Sequence, residues 1–273
     1  MTETRRVMLV TGSTDGIGRQ TALELAQAGH HVIVHGRSRP KVDAALAWLR
    51  ERAAGAEVDG VSFDLGSLAS VRKGARELLE RAPAIHVLIN NAGVFCNERG
   101  LTGDGIELTF AVNHVGPFLL THLLGPALQR GAPARVINLS SIAHTRGQIA
   151  LDDLNLERGW SGYAAYAQSK LANVMHALSL AERWASQTLA AYSLHPGVVD
   201  TKLLREGFGP VRGVTVEQGA RTSVMLAGSA RVDAPSGSYF VDGVPAPVAS
   251  AALDDDVRAA LWAATARLAG LDA

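Results

Sequence analysis

The chain has 273 residues, 47% of them hydrophobic, with 26 basic and 26 acidic side chains and no formal net charge. This length suits one enzyme-sized domain with a large core, and the even charge balance, free of long runs of either sign, excludes a nucleic-acid or anionic-membrane surface. Cys96 is the only cysteine, so an internal disulfide is excluded and a reducing compartment fits. Met1 to Arg6 lead straight into a short apolar strand without the long apolar stretch of a signal peptide or membrane span. The expectation is a soluble, cytoplasmic protein.

Short β-type runs alternate with helical stretches from there on. Residues 7–10 read as a strand and 17–28 as a helix stopped by Gly29. A strand over 31–35 precedes a helix over 40–52 with Pro40 in its first turn. A strand over 58–63 precedes a helix over 67–81 capped by Ser67, and a strand over 86–90 precedes a long helix near 105–129. Strands over 135–139 and 189–194 flank a helix over 163–186. Helices near 216–226 and 254–268 and a short strand over 238–241 complete the pattern. Continuous apolar strands between helices indicate a parallel sheet buried on both faces. The expected architecture is a single Rossmann-type domain over 1–273, a doubly wound α/β sheet of about seven strands with helices on both faces. Irregular segments at 143–162 and 201–213 follow strand ends, where ligands bind in such sheets.

The first strand runs into Thr11 and Gly12, then Ser13, Thr14, Asp15, Gly16, Ile17 and Gly18, which open the first helix. Glycines here let the backbone turn tightly and approach a pyrophosphate, whose charge is met by amides at the helix N-terminus. The end of the second strand distinguishes NAD from NADP, with an acid for the ribose hydroxyls or a base for the 2′-phosphate. His35, Gly36, Arg37, Ser38 and Arg39 occupy it without an Asp or Glu, so NADP is favoured over NAD with Arg37 as phosphate partner. Arg39 could share that role. Asp64 and Leu65, after the third strand, are placed to meet the adenine edge.

Tyr166 and Lys170 lie four apart at the start of a predicted helix, on one face of it. A tyrosine near pKa ~10 is a poor acid or base at neutral pH, and a neighbouring cation favours its phenolate. Tyr163 competes with Tyr166, but the residue four beyond it is Ala167, which has no charge to offer.

With these motifs, the chain resembles the short-chain dehydrogenase/reductase family over essentially its whole length. Asn90, Asn91, Ala92 and Gly93 look like that family's cofactor-cleft element. Phe110 to Phe118 resemble the segment carrying its catalytic asparagine, here Asn113. Val136 to Ser141 resemble the strand ending in its catalytic serine. His195, Pro196, Gly197, Val198 and Val199 resemble its turn beside the nicotinamide, with Thr201 placed to contact the carboxamide or phosphate. Side chains alternate at a strand end, so only one of Ser140 and Ser141 should face the cleft, and the family's motif position selects Ser141. The closest likeness is to the retinol-dehydrogenase-like and protochlorophyllide-reductase-like branch, which also shares the interval of 25 positions from Ser141 to Tyr166. Animal retinol dehydrogenases of this kind carry an N-terminal membrane anchor, which this sequence does not display. That departure argues against a retinoid substrate.

The resemblance implies hydride transfer between nicotinamide and a carbonyl or alcohol carbon. Tyr166 would be the general acid/base, and Lys170 would lower its pKa and hold the ribose. Ser141 would bind the substrate oxygen, and Asn113 would position a relay water. Reduction of a conjugated C=C bond is an alternative on the same cofactor, and a non-catalytic NADP sensor another. The expected chamber walls are Phe95 and the segments 143–162 and 201–210, including Leu203, Leu204 and Phe208. Their apolar character favours a small hydrophobic carbonyl or alcohol substrate. A homodimer or homotetramer would use the helices near 105–129 and 163–186. The scattered histidines predict no metal site, and His195 reads as a packed strand-end residue.

Overall fold

The computed structural model describes residues 5–184 and 188–271. It begins with β1 (Val7–Val10), α1 (Gly16–Gln27), β2 (His31–Gly36), α2 (Arg39–Arg52), β3 (Val58–Ser62), α3 (Leu68–Arg81) and β4 (Val87–Asn90). After a broken helical region come β5 (Ala134–Leu139), α7 (Gly162–Arg183), β6 (Leu189–His195), α8 (Lys202–Phe208) and α9 (Val216–Gly228). The chain closes with β7 (Tyr239–Val241), β8 (Val244–Ala246) and α10 (Asp255–Leu268). The expected end of α7 at Ser186 lies outside the described residues.

The strands form one sheet in the order β3-β2-β1-β4-β5-β6-β7-β8, parallel except for the antiparallel pair β7–β8. The order reverses between β1 and β4, so a crevice opens beyond their carboxyl ends. Alternate residues feed two cores. Leu9, Leu88 and Val136 face α3, α7 and α10, whereas Met8, Ile89 and Ile137 face α1, α2 and α9. Such two-sided burial explains why the central strands read as unbroken apolar runs.

Three expectations need correction. An eighth strand, Val244–Ala246, extends the sheet beyond the expected seven or so. The long helix near 105–129 is not continuous: α4 (Leu108–Phe110) passes through a π-helical turn (Ala111–Val115) into α5 (Gly116–Leu123), followed by α6 (Gly125–Arg130). Pro117 and Pro126 each stand at the second position of a new segment, which accommodates their missing N–H. Finally, the irregular segment 201–213 contains α8, capped by Thr201, whose hydroxyl accepts from Leu204 N. No helix among the described residues is long and apolar enough to cross a membrane.

Candidate active site

The crevice at the β1–β4 switch forms a cavity of about 320 Å³. Its floor is the turn after β1. Gly12 has φ +63°, and a Cβ there would stand 2.8 Å from Ala92 Cα; one at Gly18 would stand 2.3 Å from Asn91 Nδ2. These glycines let the β1 turn close against the β4 turn. Asn91 fastens the two by donating to the carbonyls of Thr11 at 2.7 Å and Gly12 at 3.2 Å. The Asp15 carboxylate accepts from Gly16 N at the N-cap of α1, leaving the open end of the helix towards the cleft.

Gly12, Thr14, Asp15, Gly16, Ile17, Gly18, Arg37, Asp64, Leu65, Asn91, Ala92, Gly93, Tyr166, Lys170, Pro196 and Thr201 line this cleft. Ser13 does not. Its hydroxyl turns inward, donating to Val10 O at 2.7 Å and accepting from His35 N, so it braces the turn. Ser38, the N-cap residue of α2, is likewise absent from the lining, and Gly197 and Val199 face the neighbouring chamber. Arg37 is exposed and has no ion pair among the described residues, whereas Arg39 is held by Asp43 at 2.8 Å. Among the described residues, the Arg37 guanidinium is thus left without an ion-pair partner at the end of β2.

Sequence reasoning missed His35, which is 2% exposed. Gly12 N–H donates to its Nδ1 at 3.1 Å, and its Nε2 donates to Phe63 O at 3.0 Å. The two partners call for the neutral ring, and burial lowers its pKa to about 4. A histidine at a strand end gives no sequence signal for this bridging role.

Tyr166 and Lys170 leave α7 one turn apart, both buried, with Nζ 5.4 Å from the phenol centroid. The ammonium donates to Leu139 O at 3.0 Å, and Asn173 donates to the same carbonyl at 3.1 Å. Burial pushes the phenol up to about 12, against a hydrogen bond with Ser141 that favours ionisation. Burial also pulls Lys170 down to about 8. The ammonium is turned to Leu139, and desolvation of the phenol outweighs the contribution of Ser141.

Ser140 borders the cleft at the β1–β4 switch, and Ser141 does not. Ser140 is buried and donates to Lys170 O at 2.7 Å, tying β5 to α7. Ser141 is half-buried and accepts from Ala143 N at 3.2 Å, which leaves its own proton to donate. Asn113 sits in the π-helical turn, 1% exposed. Its Oδ1 accepts from Val94 N at 2.8 Å, and its Nδ2 donates to Val94 O and Ser169 Oγ, both at 3.0 Å. Through these bonds the Asn113 side chain joins the β4 turn to α7.

Residues 6–208 match the family model described as short chain dehydrogenase. The chain belongs to this family. It is 41% identical to retinol dehydrogenase 13 of Homo sapiens, over 98% of this chain and 86% of that one. It is 38% identical to retinol dehydrogenase 14 of Mus musculus, over 94% and 84%. Among solved structures, gluconate 5-dehydrogenase from Burkholderia cenocepacia J2315, in complex with NADP and tartrate, superposes with a TM-score of 0.70. That protein is 27% identical, over 88% of this chain and 94% of that one. These likenesses place the dehydrogenase among oxidoreductases of the alcohol/carbonyl class, in the retinol-dehydrogenase-like branch.

A second cavity in this short-chain dehydrogenase, also about 320 Å³, adjoins the cleft and shares Tyr166, Pro196, Thr201 and Leu203 with it. Ser141 and His195 add polar groups to a wall otherwise dominated by Ile142, Val198, Leu204, Phe208 and Val211. Most of the expected 143–162 segment stays outside, contributing Ala143 alone before Gly162, and Phe95 is also outside, packed behind Tyr166. The extra residues come instead from the turn after β6 and from Val211 beyond α8. At the opposite end of the sheet, His31 bonds Asp59 at 2.9 Å beside Glu57, and Arg81 pairs with the same Asp59. That cluster is a partly buried knot of polar contacts remote from the cleft.

Proposed function

We propose that this dehydrogenase uses NADP(H) to interconvert a small, hydrophobic carbonyl compound and its alcohol, with Tyr166 as general acid/base. The observation that carries the reading is the meeting of two cavities at Tyr166, with Ser141 on the wall of the same chamber and Lys170 one helical turn below. The residues present fit a dinucleotide. The cradle at Gly12 and Gly18 has no room for a Cβ, α1 presents its N-terminus, and Arg37 suits a 2′-phosphate. A bound nicotinamide would supply or accept the hydride.

The chain's own residues then move the proton and hold the geometry. A phenol with a pKa of about 12 stays protonated at neutral pH, which suits donation to a carbonyl oxygen, the reductive direction. Ser141, its oxygen engaged by Ala143 N, directs its proton at the same substrate oxygen and stabilises the charge that develops there. Asn113 keeps the Gly93–Val94 wall against Lys170. Exposed Ile142, Val198 and Val211 around the chamber favour an apolar substrate.

Tyr166→Phe tests the assignment. Turnover of a carbonyl panel, followed by NADPH absorbance, should fall at least ~100-fold, the lower range for loss of a positioned acid. NADPH affinity should stay within about threefold. A variant keeping more than about a tenth of the activity sinks the proton-transfer role.

A further inference from the structure

The substrate chamber contains an aromatic arrangement that proton transfer does not require. Phe208, the last residue of α8, stands edge-on to Tyr166, with centroids 5.7 Å apart and planes at 76°. It is also edge-on to Tyr163, at 6.4 Å and 87°. All three rings line the chamber. Phe95 packs behind them, 4.8 Å from Phe208 and 5.5 Å from Tyr166.

Phe95 is itself confined. A Cβ added to Gly207 would approach its ring to 2.6 Å, and one added to Gly162 would approach to 3.0 Å. The ring is thus wedged between the start of the helix that carries Tyr166 and the helix that carries Phe208. Asn97 reinforces the clasp, donating to Glu206 O at 2.9 Å. Phe208 therefore keeps a set orientation although 36% of it is exposed.

The rest of the wall is largely aliphatic and rewards apolar area alone. Aromatic rings add a preference for another π-system, through offset or edge-to-face contact, beyond what area supplies. We infer that Phe208 is a specificity-determining residue, with Phe95 positioning it, and that together they select a flat, unsaturated carbonyl compound over a saturated one of equal size. The inference rests on the oxidoreductase reading above.

The test compares kcat/KM for benzaldehyde and cyclohexanecarboxaldehyde, with NADPH, in the wild type, Phe208→Leu, Phe208→Tyr and Phe95→Leu. Comparing the benzaldehyde-to-cyclohexanecarboxaldehyde ratio between proteins cancels the intrinsic difference in electrophilicity. The ratio should fall about three- to tenfold in Phe208→Leu and by a smaller factor in Phe95→Leu, while Phe208→Tyr keeps it within about twofold. A merely structural loss would lower both aldehydes together. Equal losses, or an unchanged ratio in Phe208→Leu, overturn the inference and leave the oxidoreductase reading standing. A wild type that reduces neither aldehyde overturns the inference; failure across a wider carbonyl panel, with NADPH still bound, overturns the reading beneath it as well.

Discussion

Acid should loosen the turn after β1 through His35, and His35→Gln should remove that part of the acid sensitivity. In the folded chain, burial holds the ring neutral down to about pH 4, outweighing the Phe63 carbonyl and the charge of Asp64. In the unfolded chain the same ring takes up a proton near ~6.5. Between those values the unfolded state binds more protons, so stability is fully present above about pH 6.5 and falls as pH drops towards 4. The whole displacement is worth about 3 kcal/mol, of which about 2 kcal/mol is lost between pH 7 and pH 5. Protonation would also cancel Nδ1 as an acceptor and release Gly12 N–H. Glutamine offers one acceptor and one donor but does not titrate. Urea unfolding followed by far-UV circular dichroism at pH 7, 6 and 5 gives the comparison. His35→Gln should lose about 2 kcal/mol less than the wild type over that range, whatever its stability at pH 7. His114, also held at about 4 by burial, leaves a residual acid sensitivity in both proteins. Equal losses in the two proteins would refute the bridging role given to the neutral ring.

Other expectations follow from the same geometry. Arg37→Ala should weaken NADPH binding about tenfold or more while NADH affinity changes less than about twofold, as fluorescence titration would show; a parallel loss for both argues against a 2′-phosphate contact. Lys170 is a cation below about pH 8 and loses its charge above it, so kcat/KM for carbonyl reduction should decline through that pH. A profile that stays flat to about pH 10 would remove the charge of Lys170 from the mechanism. Gly18→Ala places a methyl group 2.4 Å from Gly12 O and should cost about 1–3 kcal/mol, with thermal melting and NADPH titration both moving. Unaltered cofactor affinity in a folded variant would show that the turn is not the phosphate cradle.

The sheet and cleft were legible because their signals are local. Glycine at Gly12, Gly16 and Gly18, a cap at Ser67 and unbroken apolar strands each dictate nearby backbone. What was hidden depended on distant partners. Apolar periodicity ran through the π-helical turn, yet that turn brings Asn113 against Val94 and Ser169, contacts 19 and 56 residues away in sequence. Pro245 interrupts the strand signal of Val244–Ala246. At the outer edge of the sheet a strand tolerates a residue without an N–H, so the turn after β7 could fold back. The short α8 was masked by Gly207, Gly209 and Pro210 despite the capping hydroxyl of Thr201. The Tyr166–Lys170 spacing correctly put phenol and ammonium on one face. It carried no information about burial, which raises the one and lowers the other, or about the Leu139 carbonyl that holds the ammonium.

The partition shared by the two cavities bears on how this protein could be remodelled. Tyr166, Pro196, Thr201 and Leu203 belong to both compartments, so a substitution there changes two recognition problems at once. Ile142, Ala143, Val198, Leu204 and Val211 border the substrate chamber alone. A library confined to those five positions could retune substrate shape while the dinucleotide cradle keeps its walls. Selection acting on the partition would instead trade one specificity against the other.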